Sequence, residues 1–302
     1  MAASYVIGID LGGTKIRAGI FRSSDVKLIK KITVPTRVEG GKKTVISDLE
    51  TIIGKIIRKN TVGIGIGVAG IIDVDRGIVV SGPNLPKDFR RVALGRMLKK
   101  KFAIPVKVEN DARCFTLAEA LKGAGAGCDG VFGLTLGTGI GGGFFRDGRL
   151  VRGLEAAGEI GHLPVADELP GHDPSKTIDL EHVASGRGLE TTYAELSGRR
   201  LDCVTIERRF RTREKAARET FRIGQHALAK GLASAQLLFD PECIVIGGGL
   251  GRSERYWKPA VGIVRAKAFP SLKRIRVKKS KLGADAGMIG AALLHSYDTY
   301  EL

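Results

Sequence analysis

Side-chain amides are scarce in this chain: of 302 residues only Asn60, Asn84, Asn110, Gln225 and Gln236 carry one. Loss of thermolabile amides beside abundant Lys, Arg and Glu is the pattern of a hot habitat, and it makes each remaining asparagine worth following. Cysteine is scarce too. Cys114, Cys128, Cys203 and Cys243 lie far apart in sequence and form no C-x-x-C pair. That excludes a disulfide-knitted scaffold and makes a reducing cytoplasm the expected compartment. Aromatic residues make up 6% of the chain, and no basic stretch is interleaved with them as single-strand nucleic-acid binding requires. No apolar run approaches the roughly eighteen residues that span a bilayer, so no membrane partner is expected. Residues 1–4 lead at once into an apolar run, and no signal peptide is expected either. Acidic residues are outnumbered, 32 Asp and Glu against 49 Lys and Arg, for a net charge of +17. The excess is dispersed among Lys99–Lys101, Arg208–Arg213 and Lys278–Lys281. It reads as solvated helix faces with a general attraction for small anions, and no nucleic-acid partner is expected.

What is present is an α/β pattern long enough for two lobes. Tyr5–Ile9 and Ile16–Phe21 read as two strands of a hairpin around Gly12-Gly13, and Leu28–Val34 as a third. Val45, Leu49, Ile52, Ile53, Ile56 and Ile57 recur at helical spacing, predicting a helix to about Lys59. "VGIGIGVAG" is a short buried strand, Val92–Phe102 a helix with a basic outer face, and Val106–Val108 a strand running into a helix at Glu109-Asn110-Asp111. The second half repeats the theme, because "GVFGLTLGTGIGGGFF" is again strand, glycine turn, strand. A long helix from about Arg213 to Phe239 feeds the strand "CIVIGGG", and "ADAGMIGAALLHSY" closes the chain as a helix. Two glycine-cornered hairpins predict a duplicated α/β lobe with a cleft between the copies and a hinge near residue 110.

Asp10 ends an apolar strand and is followed by "LGGTK". A tight turn with exposed N–H groups, flanked by Thr14 and Lys15 as donors, suits phosphate oxygens. An ordinary hairpin turn would explain the glycines but not the carboxylate. The stretch is not a P-loop, since a strand follows where that motif needs a helix. "GTGIGG" and "GIGVAG" match G-x-G-x-x-G, yet neither opens a helix as a dinucleotide fingerprint must. Asn110 and Asp111 sit at a strand's carboxyl end, where α/β proteins bind ligands, although either could equally be a helix N-cap. Glu159 and His162 lie three apart among glycines, and Glu181 and His182 follow. His162, His172 and His182 with Asp173 are the residues that could offer a metal site, but their spacing resembles no known zinc cage.

In order along the chain, "DLGGTK", "GVAG", "PNLP", "ENDA", "LGTGIGGG", "AGEIGH", "LEHVASG", "IGGGL" and "ADAGMIGAA" resemble the ROK family of sugar kinases and repressors over nearly the whole length. The resemblance implies the actin-like, ribonuclease H-like ATPase fold, with a small lobe of residues 1–110 plus about 286–302 and a large lobe of residues 111–285. It implies ATP and Mg²⁺ as cofactors. Asp10 would lie near the metal and phosphates, and Gly12, Gly13, Thr14, Lys15 and the Gly137-Thr138-Gly139 turn would contact ATP. Gly248 and Gly249 would pack against the adenosine. Gly70, Asn84, Asn110, Glu159, His162 and Glu181 match the sugar site, and Asp111 matches the catalytic base. The implied reaction is phosphoryl transfer from ATP to the 6-hydroxyl of a hexose, glucose first, with an N-acylhexosamine or fructose as the alternative. A repressor is not expected, because the phosphate hairpin begins at residue 5 where such relatives carry a DNA-binding segment. A homodimer stays open. One departure is clear: the family's cysteine zinc motif is replaced by "LPVADELPGHDPSKTIDLE". No zinc is therefore expected, His162 should be a neutral sugar ligand, and the segment from Leu163 to Asp179 should be held by packing and by Pro164, Pro170 and Pro174.

Overall fold

Two apolar strands around a glycine turn open the chain, as their alternation requires. β1 (Tyr5–Leu11) pairs antiparallel with β2 (Lys15–Arg22), and β2 with β3 (Lys27–Pro35). There follow α1 (Gly41–Ile56), β4 (Thr61–Val68), the short hairpin β5 (Ile71–Asp73) and β6 (Ile78–Ser81), α2 (Leu94–Phe102), β7 (Val106–Asn110) and α3 (Asp111–Lys122). The second glycine hairpin is β8 (Val131–Leu136) and β9 (Ile140–Arg146), followed by β10 (Arg149–Val151), β11 (Pro164–Ala166) and β12 (Ile178–Asp179). Helices α4 (Leu180–Ala184), α5 (Gly186–Ser197), α6 (Cys203–Arg211) and α7 (Lys215–Phe239) lead to β13 (Cys243–Gly247). The chain ends through α8 (Glu254–Arg265), α9 (Pro270–Lys273), β14 (Val277–Lys279) and α10 (Ala286–Ser296). This computed structural model describes residues 3–154, 156–166, 177–267 and 269–296.

The chain forms two compact units. The first gathers residues up to 123 with 148–157 and those from 282 onward; the second holds 124–147 and 158–281. The division thus falls at Gly123 and Leu282 instead of near residues 110 and 286. The reason is packing: Cys114 of α3 lies directly against Gly290 of α10, and the Leu282 N–H donates to Glu119 Oε1 at 2.9 Å. Both contacts tie α3 to the first unit, so residue 110 is not a boundary.

In the first unit the strand order is β3-β2-β1-β4-β7, with β1, β4 and β7 parallel. Because successive side chains alternate across a sheet, the isoleucines of β1 and β4 (Ile7, Ile9, Ile64, Ile66) enter one core with Val45, Leu49, Ile52 and Ile53 of α1. Gly8 and Gly65 lie on the other face. A Cβ on Gly65 would run into the carbonyl of Ala291, and one on Gly8 into that of Met288, so α10 meets bare backbone. Gly65→Val should lower the melting midpoint by several degrees, given roughly 1–3 kcal/mol for overpacking and about 2–4 °C per kcal/mol in a chain of this size. An unchanged midpoint in a thermal scan would mean that α10 yields freely.

The second unit repeats the plan in the order β9-β8-β13-β14. Strands β8, β13 and β14 are parallel and β9 is antiparallel to β8. Phe132, Leu134, Ile244 and Ile246 pack with Leu228 and Leu232 of α7 and with Tyr256 of α8. Three predicted ends shift. Val92 pairs with Val79 as a β-bridge, so α2 starts at Leu94. Arg213 adopts left-handed backbone (φ 64°), which delays α7 to Lys215. α1 stops at Ile56.

Candidate active site

Asp10 stands near the carboxyl end of β1, opposite Arg17 on β2. Its Oδ2 accepts from Arg17 Nη1 at 3.0 Å, and its side chain is 17% exposed. Burial raises the Asp10 pKa, and Arg17 opposes that rise. Gly287, in the first turn of α10, approaches the carboxylate so closely that a Cβ there would lie 3.2 Å from Cγ. That helix end favours the ionised form. The following turn is braced from behind: Gly12 N donates to Lys15 O at 3.1 Å, Thr36 Oγ1 to Gly12 O at 2.7 Å, and Thr36 N to Thr14 O at 2.9 Å. Thr14 and Lys15 are left exposed. Gly13 abuts the backbone and Cβ of Asn84, where any side chain would collide.

The parallel register puts Asp10, Gly67 and Glu109 level across β1, β4 and β7. Asn110 and Asp111 therefore emerge from the same sheet edge as Asp10, two strands or roughly 10 Å away. Asn110 is the N-cap of α3: its Oδ1 accepts from Arg113 N at 3.1 Å, and its Nδ2 donates to Gly70 O at 3.1 Å. The cap reading of this residue is the one observed, and the cap sits at the carboxyl end of β7, where α/β proteins generally bind ligands. Gly70 itself has φ 153° and would drive a Cβ into Ser81 O. Asp111 is half-buried, and its Oδ1 accepts from Ala112 N at 2.9 Å.

Behind this pair lies a charge network that is not among the sequence expectations. Glu109 is fully buried. Its Oε1 accepts from Asn110 N at 2.8 Å and Arg113 Nη1 at 3.4 Å, and its Oε2 from Arg152 Nε at 2.7 Å. Arg113, 2% exposed, also donates through Nε and Nη2 to Ala157 O at 3.3 and 3.0 Å. The i,i+4 spacing of Glu109 and Arg113 was a usable signal; Arg152 offered none.

In the second unit, Gly137-Thr138-Gly139 turns between β8 and β9, with Gly137 N donating to Gly139 O at 2.9 Å. The start of α5 grips it from the carbonyl side, Gly186 N to Gly137 O at 2.8 Å and Arg187 N to Thr138 O at 3.4 Å. Glu181 lies under the turn: its Oε2 accepts from Ile140 N at 2.7 Å and blocks any side chain at Gly139. Expected as a sugar ligand alone, this carboxylate also braces the glycine turn. Gly248 (φ 84°) packs on Leu136, which brings the exposed Gly248-Gly249 pair beside the same turn.

Glu159 is the N-cap and His162 the last residue of a single 3₁₀ turn, Ile160–His162, seated against β9 through Gly158 and Gly161. Antiparallel pairing of β11 with β12 brings Asp179 back to it, with Pro164 opposite Asp179. Asp179 was not singled out from sequence. Its Oδ2 lies 3.1 Å from His162 Nδ1 and its Oδ1 2.6 Å from His182 Nδ1. Its Oδ1 also accepts from His182 N at 2.9 Å, capping α4. Two expectations change. The ends of the cysteine-free segment are joined by a β-ladder and a carboxylate, while Pro170 and Pro174 lie outside the described residues. And the bond to Asp179 raises the His162 pKa, favouring the imidazolium where a neutral ring was expected. His172 and Asp173 also lie outside the described residues; among the described ones, no group of three or more His, Cys, Asp or Glu is placed to hold a metal.

Comparison with known proteins bears on this arrangement as a whole. The ROK family profile matches residues 6–297. A glucokinase of Thermotoga maritima is 36% identical, the match covering 95% of this chain and 96% of that protein. An N-acetyl-D-glucosamine kinase of Pectobacterium carotovorum is 32% identical over 96% of this chain and 99% of its own. A crystal structure of a ROK glucokinase from Streptomyces griseus, in complex with glucose and AMPPNP, superposes with a TM-score of 0.79 at 29% identity, covering 96% of this chain and 99% of that one. The α/β fold is thus that of the ROK sugar kinases, the actin-like ATPase fold.

Proposed function

The chain belongs to the ROK family, and from that premise we propose that it is an ATP-dependent sugar kinase, transferring the γ-phosphoryl group to the 6-hydroxyl of a hexose, glucose foremost. The observation that carries this reading is the shared sheet edge of Asp10 and Asp111, with a braced glycine turn beside Asp10. Phosphoryl transfer asks a protein mainly for positioning and for charge stabilisation. Asp111 accepts the proton of the attacking hydroxyl. Asn110, Glu159 and His162 sort the sugar's hydroxyls by paired donors and acceptors. Thr14, Lys15 and the Gly137–Gly139 turn hold the phosphates, and Gly248-Gly249 takes the adenosine.

Asp10 fits a magnesium ion. Mg²⁺ typically takes one or two carboxylates plus substrate phosphates and waters, and here Arg17 pins one oxygen of a carboxylate at the sheet edge. Bound there with ATP, the ion would neutralise charge developing on the phosphates.

The N-acetyl-D-glucosamine kinase relative supports a second reading, phosphorylation of an N-acylhexosamine. A single pocket difference changes preference by only about 1–3 kcal/mol, so a coupled assay over glucose, mannose, fructose, N-acetylglucosamine and N-acetylmannosamine decides. Glucose should give the highest kcat/KM. An N-acetyl sugar in first place would establish the alternative, and no turnover of any hexose would refute both.

Asp179 enters this reading as a positioning residue. Facing a carboxylate, His162 Nδ1 carries a proton, so Nε2 is the nitrogen turned over to the sugar. Asp179→Asn keeps an oxygen to cap α4 but weakens the hold on the ring. It should raise the sugar KM roughly tenfold, as loss of a charge-assisted hydrogen bond does, with the KM for ATP unmoved. Equal rises in both constants would show that only the local fold had been damaged.

A further inference from the structure

The four cysteines look unrelated in sequence, yet the fold brings two of them together. Cys128 lies just before β8 and Cys243 begins β13, 115 residues later, and their sulfurs are 3.5 Å apart. The two backbones are locked at this corner. Cys243 N donates to Gly130 O at 3.2 Å, and Cys243 pairs in register with Val131. Lys278 of β14 completes the cluster, donating from Nζ to Ala124 O at 3.0 Å and to Cys128 Sγ at 3.7 Å. A disulfide needs its sulfurs at about 2.05 Å, so the pair has to close from the 3.5 Å of the reduced form.

The two thiols differ in reactivity. Cys243 is buried, and burial together with the neighbouring Cys128 sulfur pushes its pKa up to about 12. Cys128 is half-buried and has an ammonium beside its sulfur. Cys128 is therefore the sulfur that meets an oxidant first, and Cys243 is the resolving thiol already in contact with it. Cys114 is wholly buried, and the Cys203 thiol is likewise pushed up to about 12, so both serve as internal references.

We propose that Cys128 and Cys243 are a modification site, a thiol pair that a peroxide converts to a reversible disulfide stapling β13 to the segment that enters β8. The Cys128 sulfur attacks one peroxide oxygen and the O–O bond breaks. The departing oxygen takes the thiol proton and leaves as water, and Cys128 becomes a sulfenic acid. The Cys243 sulfur then attacks that sulfur, its proton leaves with the hydroxyl as a second water, and the S–S bond forms. Peroxide is reduced by two electrons and the two thiols supply them. The staple lies at the starts of β8 and β13, whereas the Gly137 and Gly248 turns lie at their ends. It therefore changes stability and leaves the glycine turns alone.

The test treats the folded, full-length protein with hydrogen peroxide, then alkylates free thiols and maps the peptides. A Cys128–Cys243 cross-link is expected, with Cys114 and Cys203 alkylated. The melting temperature should rise by several degrees, since closing so long a loop restricts the unfolded chain, and dithiothreitol should reverse the rise. Turnover below the melting range should stay within about twofold of the reduced enzyme. Cys243→Ser should abolish both cross-link and stabilisation; Cys128→Ala, at the more exposed position, serves the same purpose should the first variant fold poorly. Sulfinic acid at Cys128 with Cys243 still alkylated would overturn the proposal. So would four free thiols after native treatment, or a cross-link that leaves the melting temperature unchanged.

Discussion

Asp111→Asn is expected to lower kcat by about two to four orders of magnitude while the KM for ATP stays within a few-fold of its starting value. The substitution isolates the chemistry well. Asp111 Oδ1 accepts from the N–H of Ala112 at the start of α3, and an asparagine oxygen can accept that same bond, so the helix end survives. What is lost is the ability to take the sugar hydroxyl's proton. Steady-state kinetics with both substrates varied, beside a melting curve, tests this. Turnover at the original rate in a folded variant would remove Asp111 from the mechanism.

Glu109→Ala should be the most damaging substitution for stability. It removes the buried carboxylate that Arg113, 2% exposed, and Arg152 both bind. Removing one partner of a buried ion pair costs about 3–5 kcal/mol, which for this length corresponds to a fall in melting temperature on the order of 10 °C. Glu109→Gln should cost less, because an amide oxygen can still receive the Asn110 N–H that Oε1 holds at 2.8 Å. Denaturant unfolding of both variants gives the ordering. An alanine variant as stable as the parent would show that the network contributes nothing.

The sequence made local patterns legible. Alternating Ile and Gly marked β1 and β4, helical spacing marked α1, and the two glycine hairpins were readable together with the strand-end position of Asn110 and Asp111. Helices α5, α6 and α8 carry a weaker sequence signal. In α6 the charges Glu207, Arg208, Arg209 and Arg211 surround a single fully buried residue, Ile206, so its apolar stripe is narrow. Side-chain partnerships were harder still. Asp179 meets His162 across 17 positions and Glu109 meets Arg152 across 43; such contacts arise from pairing of distant backbone, on which composition and period are silent. Arg113 was invisible for another reason. Arginine ordinarily signals a surface, and here it is among the largest fully buried side chains.

The bare face of β1 and β4 has a consequence for how the protein is made. Its cover, α10, is made well after the strands it covers, since β1 and β4 precede it by more than two hundred residues in the chain order. At a synthesis rate of roughly 5–20 residues per second, β1, β4 and β7 wait roughly 10–55 s for Ala286 to appear. During that interval the glycine-lined face has no helix on it, and the peptide groups beneath are open to water and to neighbouring chains. The second unit ends at Lys281, before α10 begins, so it can fold while the nascent first unit is still incomplete. Ribosome-bound chains arrested before Ala286 should therefore be cut by protease within the first unit and resist it within the second.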